Sequence, residues 1–270
     1  MKTLKISIIV TTYNWPEALD RVLSAIAHQD YHNFEVIVAD DGSTEDTKSV
    51  IKNHQEKQSY PLHHAWQADD GFRAAEIRNR AITQASGEYI LFLDGDCIPR
   101  PHFISRHAQL AEPDWFVTGN RILLSRKETH KVLTAQLAIE KYLSYQWLWS
   151  RITGKINRIL PLFTLPFSKW RYNNRTKWQG AITCNLAAWK RDLYKINGFD
   201  QEYQGWGYED SDLAIRLINA GCYRKEGRYA TGVIHLWHPE NDRQLSETNH
   251  DRLRQSIKNK STITKYGITQ

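Results

Sequence analysis

Three short apolar runs, each closed by a polar or acidic cluster and each followed by a helical pattern, constrain this chain more than any other feature. Lys5 to Val10, Phe34 to Ala39 and Glu88 to Leu93 are rich in Ile, Val, Leu and Phe and read as buried strands. Between the first two, Pro16 suits a first helical position, and Ala18, Val22 and Ile26 form an apolar stripe. Ser43 followed by Asp46 gives an N-cap signal for a second helix, and a third helix is predicted over Arg73 to Gln84. This alternation implies βαβ units: an α/β fold with a mostly parallel central sheet flanked by helices. Ligands of such sheets bind outside the carboxyl ends of the strands, so the polar residues after each strand are the site candidates.

Beyond about residue 115 the alternation weakens, and a clear helix resumes near Glu209, with Leu213, Leu217 and Ile218 on one face and Gly221 as its stop. No repeat or low-complexity linker divides the chain. It reads as one domain over residues 1–240, with a first half over about 1–115 and a second half over about 116–240 that carries the basic aromatic insertion 141–178. Residues 241–270 read as a surface helix or a partly mobile tail. At 270 residues, 41% of them hydrophobic, the chain can bury a full core. No apolar stretch approaches the roughly 20 residues a membrane span needs, and Met1 to Lys5 does not resemble a secretory leader. Cys97, Cys184 and Cys222 are odd in number and lack paired spacing, which argues against a disulfide framework or a zinc knuckle. The expectation is a cytoplasmic protein.

The net charge is +6, yet Lys141 to Trp178 alone carries +8, so the rest of the chain carries −2. That distribution argues against a broad nucleic-acid surface. Within the basic segment, Tyr142, Tyr145, Trp149, Ile152, Ile156 and Ile159 fall at helical spacing, with Arg151, Lys155 and Arg158 off the stripe. Two readings stay open: peripheral attachment to an anionic membrane through 141–178, at the inner face of the cytoplasmic membrane, or a stripe packed on the domain.

Asp94-Gly95-Asp96 directly follows an apolar strand, which sets two carboxylates at a strand end. Hard divalent cations take oxygen ligands, and Mn²⁺ or Mg²⁺ commonly binds one or two carboxylates together with phosphate oxygens. An ordinary acidic turn is the alternative. Asp40-Asp41-Gly42-Ser43 and Thr11-Thr12-Tyr13-Asn14 occupy the other two strand ends, where carboxylates can accept from a ribose or base and Tyr13 can stack on a base. Capping of the helix near Thr44 is the alternative for Asp41. Arg73, Arg78 and Arg80 share a predicted helix; the arginine fork suits phosphate, and a solvated helix face is the preferred reading for Arg80. Gly205-Trp206-Gly207-Tyr208-Glu209-Asp210-Ser211-Asp212 opens a helix with carboxylates, whose ionised form the helix dipole favours. An ionised Asp is what a general base requires, so Asp210, with Glu209 beside it, is the catalytic candidate; simple capping by acids is the alternative. His235 can serve a metal as a neutral imidazole or be structural.

Taken together these residues resemble the inverting, family 2-like glycosyltransferases of the GT-A fold over about residues 5 to 240. Gly205-Trp206-Gly207-Tyr208-Glu209-Asp210 is similar to the motif of β-1,4-galactosyltransferases, N-acetylgalactosaminyltransferases and bacterial chondroitin polymerase domains, and Gly71-Phe72-Arg73-Ala74-Ala75 with Arg78-Asn79 resembles the last of these. The resemblance implies a UDP-sugar donor and a glycan acceptor; membrane attachment through 141–178 would make a lipid-linked glycan or lipopolysaccharide core the natural acceptor, in cell-surface polysaccharide or lipopolysaccharide synthesis. It implies Asp41 on the uridine, Asp94 and Asp96 around the diphosphate and Mn²⁺ or Mg²⁺, His235 as a further metal ligand, and Asp210 as catalytic base. It also implies Arg73 and Arg78 near the donor, Trp178 and Gly180 lining the sugar pocket, and Trp206 stacking on a sugar. Two other classes compete. A sugar-phosphate nucleotidyltransferase would show a Gly-rich, Arg/Lys-containing N-terminal loop, which is missing, and a non-catalytic glycan-binding protein has no need of all these carboxylates.

Overall fold

The structure is a computed structural model that describes residues 3–239 and 242–269; the boundary expected at residue 240 lies outside the described residues. The first half alternates as expected: β1 (Ile6–Thr12), α1 (Pro16–Ile26), β2 (Phe34–Asp40), α2 (Glu45–Lys57), β3 (Leu62–Trp66), α3 (Ala74–Gln84) and β4 (Tyr89–Asp94). There follow β5 (Cys97–Pro99), α4 (Phe103–Leu110), β6 (Trp115–Thr118), β7 (Arg121–Leu123), α5 (Arg126–Thr134), α6 (Ser144–Ile152), β8 (Asn185–Trp189) and α7 (Lys190–Lys195). The chain closes with α8 (Glu209–Asn219), β9 (Tyr223–Glu226), β10 (Val233–His235) and α9 (Ser246–Lys258).

Seven strands make one sheet in the order β3-β2-β1-β4-β8-β6-β9, in which β8 is antiparallel to both its neighbours and the other paired strands run parallel. Alternate residues of the central strands feed two cores, as a two-period pleat requires. Ile6, Ile8, Val10, Val36, Val38, Leu91 and Leu93 pack with Leu19, Val22, Leu23 and Ile26 of α1. Ile9, Ile37, Ile90 and Phe92 pack on the other face with Ile77, Ala81 and Ile82 of α3 and Leu213 and Leu217 of α8. Both halves of the chain contribute strands to this sheet. A second sheet, β5-β10-β7, sits beyond the carboxyl end of β4 and pairs His235 with Cys97.

Several expectations are corrected. The strands run further than the apolar runs, so Thr12, Asp40 and Asp94 are themselves strand residues, and α3 begins at Ala74 with Arg73 as its N-cap residue. Ser43 does not cap α2, whose N-cap is Thr44: the Ser43 hydroxyl accepts from Asn14 N (2.9 Å), and Asn14 Oδ1 accepts from Thr44 N (2.9 Å). The long stripe over 142–159 is not one helix. Gly154, at φ +68°, turns the chain after α6, so Ile156 and Ile159 pack inward while Tyr145, Trp149 and Ile152 face solvent. Of the two readings of the last segment, the surface helix is present as α9, and residues 242–269 are docked: Leu253 is buried, Asn249 Nδ2 donates to Gln204 O (2.9 Å), and Asn197 Nδ2 donates to Thr264 O and Thr269 O. Cys97, Cys184 and Cys222 are buried free thiols. No helix among the described residues is long and apolar enough to cross a membrane.

Candidate active site

Strand register assembles the site. Pairing of β1 with β2 and β4 sets Thr12 opposite Asp40 and Thr11 opposite Asp94, so three strand ends meet at one edge. They open into a cleft of about 1510 Å³ whose wall includes Thr11, Tyr13, Asn14, Asp41, Arg73, Arg78, Asp94, Asp96, Gly180, Trp206, Glu209, Asp210, His235 and His238. Trp178, expected in that wall, is half-buried and packs against the second core, with Ala181 N donating to its carbonyl (3.1 Å).

On the β2 side, Asp41 does not cap α2. Its Oδ2 accepts from Arg73 N (2.7 Å) and its Oδ1 from Gln67 Nε2 (2.5 Å), while burial raises its pKa against those hydrogen bonds. Gly42, at φ +96°, lets the next turn close: a Cβ there would lie 2.5 Å from Asp69 Cα. Tyr13, half exposed at the rim, donates its hydroxyl to Asp69 Oδ2 (2.9 Å). The Arg73 fork is held by Glu76 (2.9 Å) and Ala68 O (2.6 Å), and Arg80 lies outside on Glu76 (2.7 Å).

Arg78 is the hub. Buried on α3, it donates from Nε to Thr11 Oγ1 (3.1 Å), from Nη2 to Asp94 Oδ1 (3.3 Å) and from Nη1 to Glu209 Oε1 (3.3 Å), with Asp210 Oδ1 at 3.8 Å. Its neighbour Asn79 is structural, clamping the Phe199 backbone through both amide atoms (2.8 Å each). One guanidinium cannot balance the carboxylates around it. Burial, countered by Arg78 and reinforced by Asp96 and Asp210, raises Asp94 to about 6, and burial with the Asp210 charge raises Glu209 to about 7. Asp210 is held differently: Thr183 donates to it twice, from Oγ1 to Oδ1 (2.6 Å) and from N to Oδ2 (3.2 Å). Tyr208 before them adopts φ +72°, a costly conformation for a non-glycine residue, and stacks on His250 of α9 at 4.9 Å.

Asp96 lies just beyond the end of β4, where pairing of β10 with β5 brings His235 alongside. Its Oδ2 is 3.5 Å from His235 Nε2 and 3.3 Å from His238 Nε2, and its Oδ1 is buried without a hydrogen-bond partner. Burial raises the Asp96 carboxyl, and burial with the nearby charges of Arg121 and His238 lowers His235 to about 4, leaving a neutral imidazole. An orphaned carboxylate oxygen beside two imidazoles, with carboxylates in excess, is a donor set that fits a divalent cation. Cys97 Sγ is also close, but burial pushes its pKa up and keeps the thiol protonated.

Sequence reasoning missed three residues. His238 stands three positions after His235, a spacing that was there to be read. Thr183 and Arg121 carry no local signal. They reach the cleft only because β8 enters the sheet between β4 and β6 and β7 joins the small sheet.

The glycosyl transferase family 2 profile matches residues 7–170. The chain belongs to that family. A second profile, the N-terminal domain of galactosyltransferase, matches residues 163–238, which include the Asp210 turn and His235. Among curated relatives, a validoxylamine A glucosyltransferase of Streptomyces hygroscopicus subsp. jinggangensis is 28% identical over 84% of this chain and 54% of its own length. A chondroitin synthase of Pasteurella multocida is 28% identical over 82% of this chain and 24% of its own. The family member thus spans about half of the first relative and a quarter of the second. Its fold is the GT-A fold. S. aureus TarS 1–349 in complex with UDP-GlcNAc matches at TM-score 0.61 and 16% identity, covering 88% of this chain and 60% of TarS 1–349. The mannosyltransferase PcManGT of Pyrobaculum calidifontis, solved with GDP-Man and Mn²⁺, matches at TM-score 0.55 and 19% identity, over 87% of this chain and 57% of its own.

Proposed function

We propose that this glycosyltransferase is an inverting, metal-dependent enzyme that moves a hexose or N-acetylhexosamine from a UDP-sugar to a hydroxyl of a glycan or lipid-linked glycan, in cell-surface polysaccharide or lipopolysaccharide synthesis. The observation that carries the reading is the carboxylate cluster at the sheet edge, with Asp210 held by Thr183 at one side and the unpartnered Asp96 oxygen at the other. Asp210 takes the proton of the acceptor hydroxyl as that oxygen attacks the anomeric carbon from the face opposite the leaving diphosphate. Thr183 fixes the orientation of the base, and Arg78 sets positive charge between Asp94, Glu209 and Asp210. Asp41 keeps lone pairs beyond those used by Arg73 and Gln67 and accepts from the uracil; Tyr13 offers its ring at the rim, Trp206 a face for the sugar, and Gly180 a gap without a side chain. Asp96, His235 and His238, with Asp94 facing the diphosphate, would hold Mn²⁺ or Mg²⁺, which supplies charge neutralisation for the departing diphosphate.

A UDP donor is supported by the UDP-GlcNAc in the TarS complex, and sugar transfer to glycans by the chondroitin synthase relative. Separate measurement of donor affinity and turnover in Asp210→Asn tests the assignment. A base requires turnover to collapse while UDP-sugar binding stays within a few-fold, and equal loss of both would overturn it.

A further inference from the structure

Helix α6 carries its apolar stripe on the wrong side for a globular protein. Tyr145, Leu148, Trp149 and Ile152, at i, i+3, i+4 and i+7, are 68%, 54%, 60% and 67% exposed, while Trp147 and Ser150 on the opposite side are buried. Leu143 before the helix, and Leu160 and Phe163 after it, are exposed as well. The surrounding charge has one sign. Leu124 to Trp178 holds eleven Lys or Arg and two acids, and both acids are buried in ion pairs, Glu128 with Lys155 (3.6 Å) and Glu140 with Arg21 (2.8 Å). A water-facing row of Trp, Tyr, Leu and Ile flanked by uncompensated cations is a costly surface unless something covers it.

We propose that this face of α6 docks on an anionic lipid bilayer, its apolar stripe entering the headgroup boundary and Lys141, Arg151 and neighbouring cations meeting lipid phosphates. A second copy of the chain is the poorer occupant, because face-to-face pairing would bring like charges together. Trp149 and Tyr145 combine an apolar ring with a polar edge, which suits the headgroup depth. Docking also orients the cleft: the turn after α6 is tied to β7 by Leu123 N donating to Asn157 Oδ1 (3.0 Å) and Asn157 N donating to Leu123 O (3.1 Å), and Leu123 lines the cleft. The cleft wall is therefore carried to the membrane, where a lipid-anchored acceptor presents its glycan. That consequence rests on the transferase reading; the docking itself does not.

Co-sedimentation of the full chain with phosphatidylcholine vesicles, with and without phosphatidylglycerol, tests docking without donor or acceptor. Binding is expected to the anionic vesicles at low salt and to fade at high salt. Arg151→Ala should weaken partitioning about five-fold, from roughly 1 kcal/mol per basic residue near the surface. Trp149→Ser with Ile152→Ser should weaken it by about tenfold or more. Because that double variant can be compromised in folding, tryptic cleavage after Arg151 in the unaltered chain is the second readout, and anionic vesicles should slow it. Absence of binding at low salt, or binding and cleavage indifferent to vesicle charge and to these substitutions, would overturn the proposal. So would a dimer that the double variant dissolves while the unaltered chain ignores vesicles. Loss of sugar transfer with vesicle binding intact would count against the catalytic reading and leave the docking in place.

Discussion

Two buried arginines pair with carboxylates of the same helix, α8, in opposite ways, Arg216 from within it and Arg78 from α3. Arg216 is paired one to one with Asp212 (2.7 Å), gives its Nη1 to Ile196 O (2.9 Å) and Gly198 O (2.7 Å), and is sealed from solvent. Arg78 faces three carboxylates at longer range, opens on the cleft, and leaves two of them with raised pKa values. The first arrangement balances its charge one to one, leaves Nη2 without a hydrogen-bond partner, and fixes the loop around Gly198 against the helix. The second has surplus negative charge and one orphaned oxygen nearby, and is complete only with further positive charge. Two carboxylates two residues apart, Asp210 and Asp212, thus take unlike roles, and only the partners tell them apart.

Exchanging the two roles is the sharpest way to break this contrast. Asp210→Asn should lower turnover by about 10²- to 10⁴-fold, the range of general-base catalysis, with the melting temperature essentially unchanged. Asp212→Asn should do the reverse. It leaves the Arg216 charge buried and unpaired, which costs about 3–5 kcal/mol in a denaturant titration, while specific activity of the folded fraction stays near that of the parent. A catalytic collapse in Asp212→Asn without instability would erase the distinction.

A smaller effect is expected at the metal side. His238→Ala should weaken Mn²⁺ binding by about 10- to 100-fold in calorimetry, at least what the loss of a supporting partner costs. Unchanged affinity would remove His238 from the site. The smallest signal is a pH dependence. Glu209 is raised from 4.5 to about 7, so between those values the unfolded chain has released a proton that the folded chain keeps. The contribution of Glu209 to stability is therefore fully present below pH 4.5 and is lost as pH rises through 7. In chelator the melting temperature should drop across that window, and Glu209→Gln should flatten the drop. A melting temperature that climbs over the same range, with no change on substitution, would mean that Glu209 is not held by surplus charge.

Much of the edge formed by β1, β2 and β4 was legible because it is local: an apolar run, a strand end and an acidic cluster lie next to one another in the chain, so Asp41, Asp94 and Asp96 could be set at one sheet edge from spacing alone. The wall built from the second half of the chain was not. Thr183 reaches Asp210 through the antiparallel insertion of β8, a pairing that no periodicity encodes. The stripe over 142–159 failed for a readable reason: Gly154 was there as a helix stop, but the apolar spacing ran through it. Spacing could not place Trp178, because an aromatic beside a glycine turn packs against a core as readily as it lines a pocket. The helix of the C-terminal segment was read, but its docking was not, because its anchors, Asn197 and Gln204, lie some 45 or more residues away in the chain.

The central claim is most directly tested by incubating the protein with a panel of nucleotide sugars, with Mn²⁺ or with chelator, and following free nucleoside diphosphate as glycan acceptors are added. Release of UDP from one donor, dependent on the metal, stimulated by acceptor and lost in Asp210→Asn, is the predicted result. Release of pyrophosphate from UTP and a sugar phosphate, or UDP release that ignores both metal and Asp210, would contradict it.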